Sequence, residues 1–311
     1  MSPSRLGTIY RLDAGSEVVR KRWRIPRIMA VPANWQGTPE RFYHFLLGYL
    51  VPLLIWQERS DERAIAVRES GPHNAWFELL HPDTSIEFLP PGMMLERYLS
   101  HRQERVVFHD WDNPTRFRRK SLTRARGTAI RNLQPTVNNG EGRPRITVLD
   151  RGPSVDHYRS DVAETHGGGA EWRSLPNVKE VATSLELLGD VRILDTAGMT
   201  PQEQVSSLLQ TDVLVAQHGG GLSNMLWMKS GKSVIEILPP RPPTIDAIFH
   251  NLAAACRLGY RAVPQKSEHS PVDTQPILQA AQDLLESPTA HVPTPTGSWP
   301  MRLVRQLPRR L

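Results

Sequence analysis

Two rhythms of apolar residues alternate along the chain. Short, often β-branched runs fall at Ile28–Val31, Ala64–Val67, Ser85–Leu89, Glu104–Phe108, Ile146–Leu149, Val191–Leu194, Val213–Ala216, Ser233–Leu238 and Tyr260–Val263. Runs of this length and composition predict strands, several of them buried on both faces as in a parallel sheet. Between them, apolar positions recur every three or four residues. This spacing predicts helices over Phe42–Leu54 behind a Thr38 cap, Ala75–Leu80, Pro114–Leu133, Val178–Leu188, Pro201–Leu209, Ile245–Leu258 and Ile277–Leu285. Thr200 and Glu203 form a capping-box pair at the start of Pro201–Leu209. Strand and helix in alternation imply an α/β class with doubly wound sheets and right-handed crossovers. Gln134 to Pro144, rich in asparagine, glycine and proline, reads as a linker. It separates residues 1–134 from 145–288, and the prolines after Ser287 predict an extended basic tail over 289–311.

The most chemically suggestive stretch is Asp212 to Pro240. A buried strand runs into Gly219, Gly220 and Gly221, and a helical pattern begins at Leu222. Strand, glycine turn and helix N-terminus together make a cradle for a phosphate, because backbone N–H groups there lack partners and no Cβ bars a close approach. The next strand carries Glu236 near its carboxyl end, where open parallel sheets contact ligands, and a sugar hydroxyl is the partner expected for it. Arg151 ends the Ile146 strand and is placed for bidentate phosphate contact, unless it pairs with Asp150 on the surface. Gly167 to Gly169, with neither strand before nor clear helix after, read as a flexible loop.

Gly198-Met199-Thr200, Glu203-Gln204-Val205, Asp212 to Val215, His218 to Leu222, Asn224, and Val234 to Ile237 followed by Pro239 together resemble glycosyltransferase family 61. The resemblance covers about Arg145 to Val263 well and the first 135 residues in patches. It implies a GT-B-like enzyme with two Rossmann-like domains facing a cleft, inversion at the anomeric carbon, and a nucleotide-sugar donor, UDP-linked, as co-substrate with no other cofactor. It also aligns His44 with an aromatic-flanked histidine of the family, and Arg151 with a family arginine. Two neighbours of His44 depart from the pattern. Arg41 stands where many members have asparagine, and Gly48 where many have aspartate, a natural acceptor base. Asp110, at the end of the Glu104 strand, is the replacement base proposed for it. Asp110 and Asp112 also spell the Asp-x-Asp triplet of metal-dependent transferases, but a triplet this short recurs by chance. The glycine cradle far downstream favours chemistry without a metal.

Composition narrows the partners. The chain has 311 residues, 39% of them hydrophobic, a formal net charge of +6 and a single cysteine. That length suggests two domains. One cysteine, Cys256, excludes an internal disulfide framework and fits a reducing, cytoplasmic setting. Ser2 to Arg24 lacks the apolar core of a signal peptide, and the apolar stretch Phe42–Trp56, interrupted by His44, Gly48 and Pro52, is too short to span a bilayer. Excess arginine, at Arg116, Arg118, Arg119, Lys120, Arg124 and Arg126 and again at Arg302, Arg305, Arg309 and Arg310, is either a solvated face or a site for a polyanion such as nucleic acid.

Charge movement in the expected reaction assigns the roles. The anomeric carbon becomes cationic while a nucleoside diphosphate departs as an anion, so the leaving group needs stabilising and the acceptor needs a base. Gly219, Gly220, Gly221, Leu222, Ser223 and Arg151 are candidates for the first task, with Lys229 and Lys232 behind them. His218 is expected on a phosphate or the donor sugar, and Asn224 on the loop or the donor. Asp110 and His44 are the candidates for the base, and the acceptor is a glycan, a protein or another hydroxyl. Two rival classes are a transferase acting on modified nucleic acid and a non-catalytic binder of sugar nucleotides or polyanions.

Overall fold

The computed structural model describes residues 28–32, 39–58, 64–89, 104–108, 119–135, 142–163, 165–240 and 243–294. Nine strands fall in these segments: β1 Ile28–Pro32, β2 Ala64–Arg68, β3 Ser85–Leu89, β4 Glu104–Phe108, β5 Arg145–Asp150, β6 Asp190–Asp195, β7 Val213–Gln217, β8 Ser233–Leu238 and β9 Gly259–Pro264. The first four form a sheet of order β3-β2-β1-β4 and the last five a sheet of order β6-β5-β7-β8-β9. Every pairing among them is parallel. The α/β expectation therefore holds, with strand boundaries within a residue or two of those read from the apolar runs.

Alternation within the strands sorts the second sheet's side chains onto two faces. Ile146, Val148, Val213, Val215, Ile235 and Ile237 pack with the helices Val178–Leu185 and Thr274–Glu286. Leu149, Leu214, Ala216 and Val234 face the other way, toward the helices Pro201–Leu209 and Pro243–Cys256 and the 3₁₀ helix Gly220–Trp227. This second core continues into the first unit. It takes in Phe45 to Leu54, Trp76 and Phe77, and Leu122, Ala125 and Ala129 of the helix Arg119–Leu133. Trp227, fully buried, stacks on Trp76 with ring centroids 5.9 Å apart. One aromatic pair of this kind contributes about 1 kcal/mol beyond the area it buries. The helix that follows the first sheet thus enters a shared core before the chain reaches β5.

Three predicted helices are wound differently from expectation, the Ala75–Leu80 stretch being part of a 3₁₀ helix over Gly71–Leu79. The Phe42–Leu54 stretch is a π-helix over His44–Leu50 followed by an α-helix over Val51–Gln57, and Val51 N–H reaches back to Leu46. Pro52 supplies a reason, since it has no N–H and its ring collides with the carbonyl four residues earlier, at Gly48. The stretch after the glycines is 3₁₀ rather than α. Apolar residues at both three- and four-residue spacing do not separate the two windings. No helix among the described residues is long and apolar enough to cross a membrane.

Candidate functional site

The order β6-β5-β7-β8-β9 reverses direction between β5 and β7. At such a switch point the loops leaving neighbouring strands part, opening the crevice where open α/β sheets bind ligands. Arg151 leaves β5 and His218-Gly219 leave β7 at that place. Arg151 Nη2 donates to the His218 carbonyl at 2.9 Å, and Arg173 Nη1 donates to the same oxygen at 2.9 Å. Arg173 Nε is paired with Glu268 at 3.2 Å. Two guanidinium groups therefore lie over the first residue of the glycine turn. Gly219 has φ 150°, and a Cβ there would stand 1.8 Å from Arg151 Nη2 and 3.2 Å from Arg173 Nη1. Its missing side chain makes room for the arginines.

The other two glycines are less constrained. A Cβ on Gly220 would meet Phe42 Cβ at 3.5 Å and Tyr43 N at 3.6 Å, and one on Gly221 would meet Leu149 at 3.5 Å, ordinary contacts both. Their place at the head of the 3₁₀ helix leaves their N–H groups without intrahelical acceptors. Leu222 N–H is already given to Gly219 O at 3.0 Å, and its side chain is buried. Ser223 Oγ is buried without a hydrogen-bond partner among the described residues, as is Gln217 Oε1 at the end of β7. Orphaned polar atoms of this kind call for a partner that the described residues do not supply.

Two expected ligand residues, Asn224 and Lys232, have partners within the scaffold. Asn224, fully buried, donates to Gln204 Oε1 at 3.2 Å and accepts from Trp227 Nε1 at 3.2 Å. Gln204 Nε2 bonds the carbonyls of Thr196 and Met199. Thr200 and Glu203 form the expected capping box. Lys232 pairs with Asp212 at 2.5 Å, and both stand at the opposite end of the sheet from the switch point. Cys256 is half-buried, and burial pushes its thiol up to about 12, well away from a nucleophile's range.

Beside the turn, His218 and Glu236 are joined through Nδ1 and Oε1, and Tyr260 Oη donates to Glu236 Oε2 at 2.5 Å. Glu236 is fully buried with both oxygens engaged, so the sugar contact expected of it is not open to it directly. The His218 ring packs edge-on against Phe249 (5.1 Å), Phe249 against Tyr43 (5.8 Å), and Tyr43 against His44 (5.4 Å). The structure thus brings His44, half-buried at the start of the π-helix, and buried His218, just past β7, onto one aromatic cluster. Asp110 and Asp112 lie outside the described residues, as do Thr38, Arg116, Arg118 and residues 295–311 of the tail; its start is not extended as expected but turns in a 3₁₀ helix, Pro288–His291. Gly48 is buried within the π-helix.

Three participants escaped the sequence pattern: Arg173, Tyr260 and Glu40. Glu40, 4% exposed, holds His157 Nε2 at 3.1 Å and accepts from Thr165 N–H at 2.9 Å, while its carbonyl accepts from Tyr158 Oη at 2.6 Å and lies 2.8 Å from His73 Nε2. It pins the loop between Arg151 and Arg173 to the segment lying against Gly220. Burial pushes the His73 imidazole down to about 4, so it is neutral near pH 7. Gly167 to Gly169 belong to this loop and are packed, contrary to the reading of a flexible stretch. Gly169 has φ 53°, a Cβ on it would fall 2.3 Å from Gly152 O, and a single helical turn, Gly169–Trp172, follows. The basic helix spends much of its charge internally, with Arg124 on Glu58 at 3.4 Å and Arg126 bonded to the Met228 carbonyl. That favours a structural face over a polyanion site.

A family model described as Glycosyltransferase 61 matches residues 42–235, more than half of the chain. The match takes in His44, Arg151, Arg173 and the glycine turn, and stops one residue short of Glu236. No functionally curated protein matches the chain.

Proposed function

Because the chain belongs to glycosyltransferase family 61, we propose that it is an inverting transferase moving a sugar from a UDP-linked donor to a hydroxyl of a glycan or protein. The observation that carries this reading is the convergence of Arg151 and Arg173 on the His218 carbonyl at the β5/β7 switch point. Two cations, the N–H groups of Gly220 and Gly221 and orphaned Ser223 Oγ make up a donor set matched to a diphosphate.

In this reading the diphosphate seats on the turn, and the sugar points toward the first unit, with its His44 and the carboxyl end of β4. The acceptor oxygen bonds to the anomeric carbon as the carbon–oxygen bond to the diphosphate breaks. That electron pair leaves on the phosphate, and the acceptor proton passes to Asp110 or His44. Residues 1–134 supply the acceptor side, 145–288 the donor side and 289–311 a basic tail, in a GT-B-like arrangement. The cytoplasm is the compartment proposed, where Cys256 stays a thiol. With arginines neutralising the diphosphate, chelator leaves turnover within about twofold, whereas an enzyme relying on a metal Lewis acid would lose several kcal/mol.

A thermal-shift panel of nucleotide sugars tests the reading. A donor at about a hundred times its dissociation constant stabilises the fold by about 3 kcal/mol. Stabilisation by UDP-sugars that Arg151→Ala abolishes supports it, and indifference to every nucleotide sugar overturns it. Binding without turnover on any acceptor would leave a non-catalytic binder instead.

A further inference from the structure

Three polar side chains meet across adjacent strands: His218 just past β7, Glu236 in β8, and Tyr260, which reaches Glu236 from near the amino end of β9, two residues before the register partner Ala262. Register permits it. Glu236 stands opposite Ala216 on one side and Ala262 on the other, small residues that leave room above the sheet for an imidazole and a phenol. Each contact fixes the next. Tyr260 gives its hydroxyl proton to Oε2, Oε1 takes Nδ1 of His218, and both carboxylate oxygens are then satisfied inside the protein. The ring's remaining nitrogen, Nε2, is the only polar atom of the triad left for a ligand, on the residue whose own carbonyl anchors Arg151 and Arg173.

We propose that Glu236 and Tyr260 are positioning residues that commit Nδ1–H of His218 inward, so that Nε2 donates a hydrogen bond to the departing diphosphate only when the ring carries two protons. This deepens the proposed function and rests on the diphosphate site assigned there. A carboxylate buried without a cation is strongly unfavourable, and among the described residues the His218 ring is the ion-pair partner of Glu236, cationic when it carries two protons. Four charged or titratable side chains stand around His218. Glu236 and Tyr260 come from β8 and β9, and Arg151 and Arg173 stand at its carbonyl. His250, from the helix Pro243–Cys256, faces Tyr260 with ring centroids 5.4 Å apart. In the transfer step no proton leaves Nε2. The anomeric carbon–oxygen bond breaks, its electron pair stays on the phosphate oxygen, and Nε2–H stabilises that charge while the acceptor proton goes to the base. A ring with only Nδ1 protonated would turn a lone pair toward the phosphate and oppose it.

The prediction is a pH dependence built by Glu236. UDP binding to the full chain is measured by calorimetry between pH 5.5 and 8.5, with inorganic pyrophosphate as a second probe. Comparison among variants at each pH removes the probe's own ionisation. Wild type loses about tenfold more affinity across this range than His218→Gln, whose amide donates at every pH. In Glu236→Gln the amide N–H donates to Nδ1, the neutral ring carries its proton on Nε2, and the profile flattens toward that of His218→Gln. Tyr260→Phe falls between the two. If Glu236→Gln fails to fold, ring nitrogen shifts of wild-type His218, assigned by its loss in His218→Gln, read the tautomer directly. Nδ1 protonated at every pH is expected, and a neutral Nε2–H form overturns the proposal. A folded Glu236→Gln with the wild-type profile also overturns it while leaving the diphosphate site intact. Affinity unchanged in Arg151→Ala, or neither probe binding, removes the site and the proposal together.

Discussion

Replacing Gly219 by alanine isolates the claim that the glycine turn exists to seat arginines. At φ 150° and ψ −176° an L-residue is strained by about 1–3 kcal/mol. The new methyl would stand 1.8 Å from Arg151 Nη2, so the guanidinium must swing away and give up the His218 carbonyl. A hydrogen bond from a charged donor is worth about 1.5–3 kcal/mol, and losing the same donor to a diphosphate weakens binding about ten- to a hundredfold. Gly220→Ala is the matched control. Its Cβ meets Phe42 and Tyr43 at 3.5 and 3.6 Å, and its φ needs no glycine, so stability and affinity stay within about twofold of wild type in equilibrium terms. Urea unfolding reads the first effect and UDP calorimetry the second. A folded Gly219→Ala protein binding UDP as wild type does would refute the reasoning, as would Gly220→Ala losing binding while Gly219→Ala keeps it.

Acid destabilises this fold through His73. Its imidazole, ordinarily near 6.5 and held near 4 by burial, takes up its proton more readily when unfolded, so stability is full above about pH 6.5 and falls as pH drops toward 4. The loss reaches about 3 kcal/mol, and urea unfolding at pH 7 and pH 4.5 shows it reduced in His73→Gln. Thr200→Ala removes the cap of Pro201–Leu209 and costs about 1 kcal/mol of stability with donor affinity unchanged; a selective loss of affinity would make the motif a ligand site. Asp110→Asn lowers turnover about a hundredfold with UDP affinity retained, and if His44→Ala alone does so, the base is His44.

What could be read along the chain depended on how far apart the partners lie. Buried strands announce themselves locally, and β2 and β3 begin where their apolar runs do. The partners of the Thr200–Glu203 box are three positions apart, and the box was legible for the same reason. That glycine was needed at 219 could be seen, but not why, since the reason is a guanidinium carried 68 positions earlier and folded back across the switch point. Arg173 and Tyr260 gave no local signal because their partners lie 45 and 24 positions away along the chain. Glu40 carried no local signal either, and only tertiary packing reveals its grip on His157 and Thr165. Glu236 was found by position yet assigned an open face, because a single strand does not say whether its neighbours place an imidazole and a phenol above it.

A crystal structure of the full chain with UDP and manganese tests the central claim most directly. The account predicts diphosphate oxygens within hydrogen-bonding distance of the Gly220 and Gly221 N–H groups and of the Arg151 and Arg173 guanidinium groups, at the crevice between β5 and β7, with no metal bridging them to the protein. A diphosphate held instead through manganese by Asp110 and Asp112, beyond the end of β4, would contradict it.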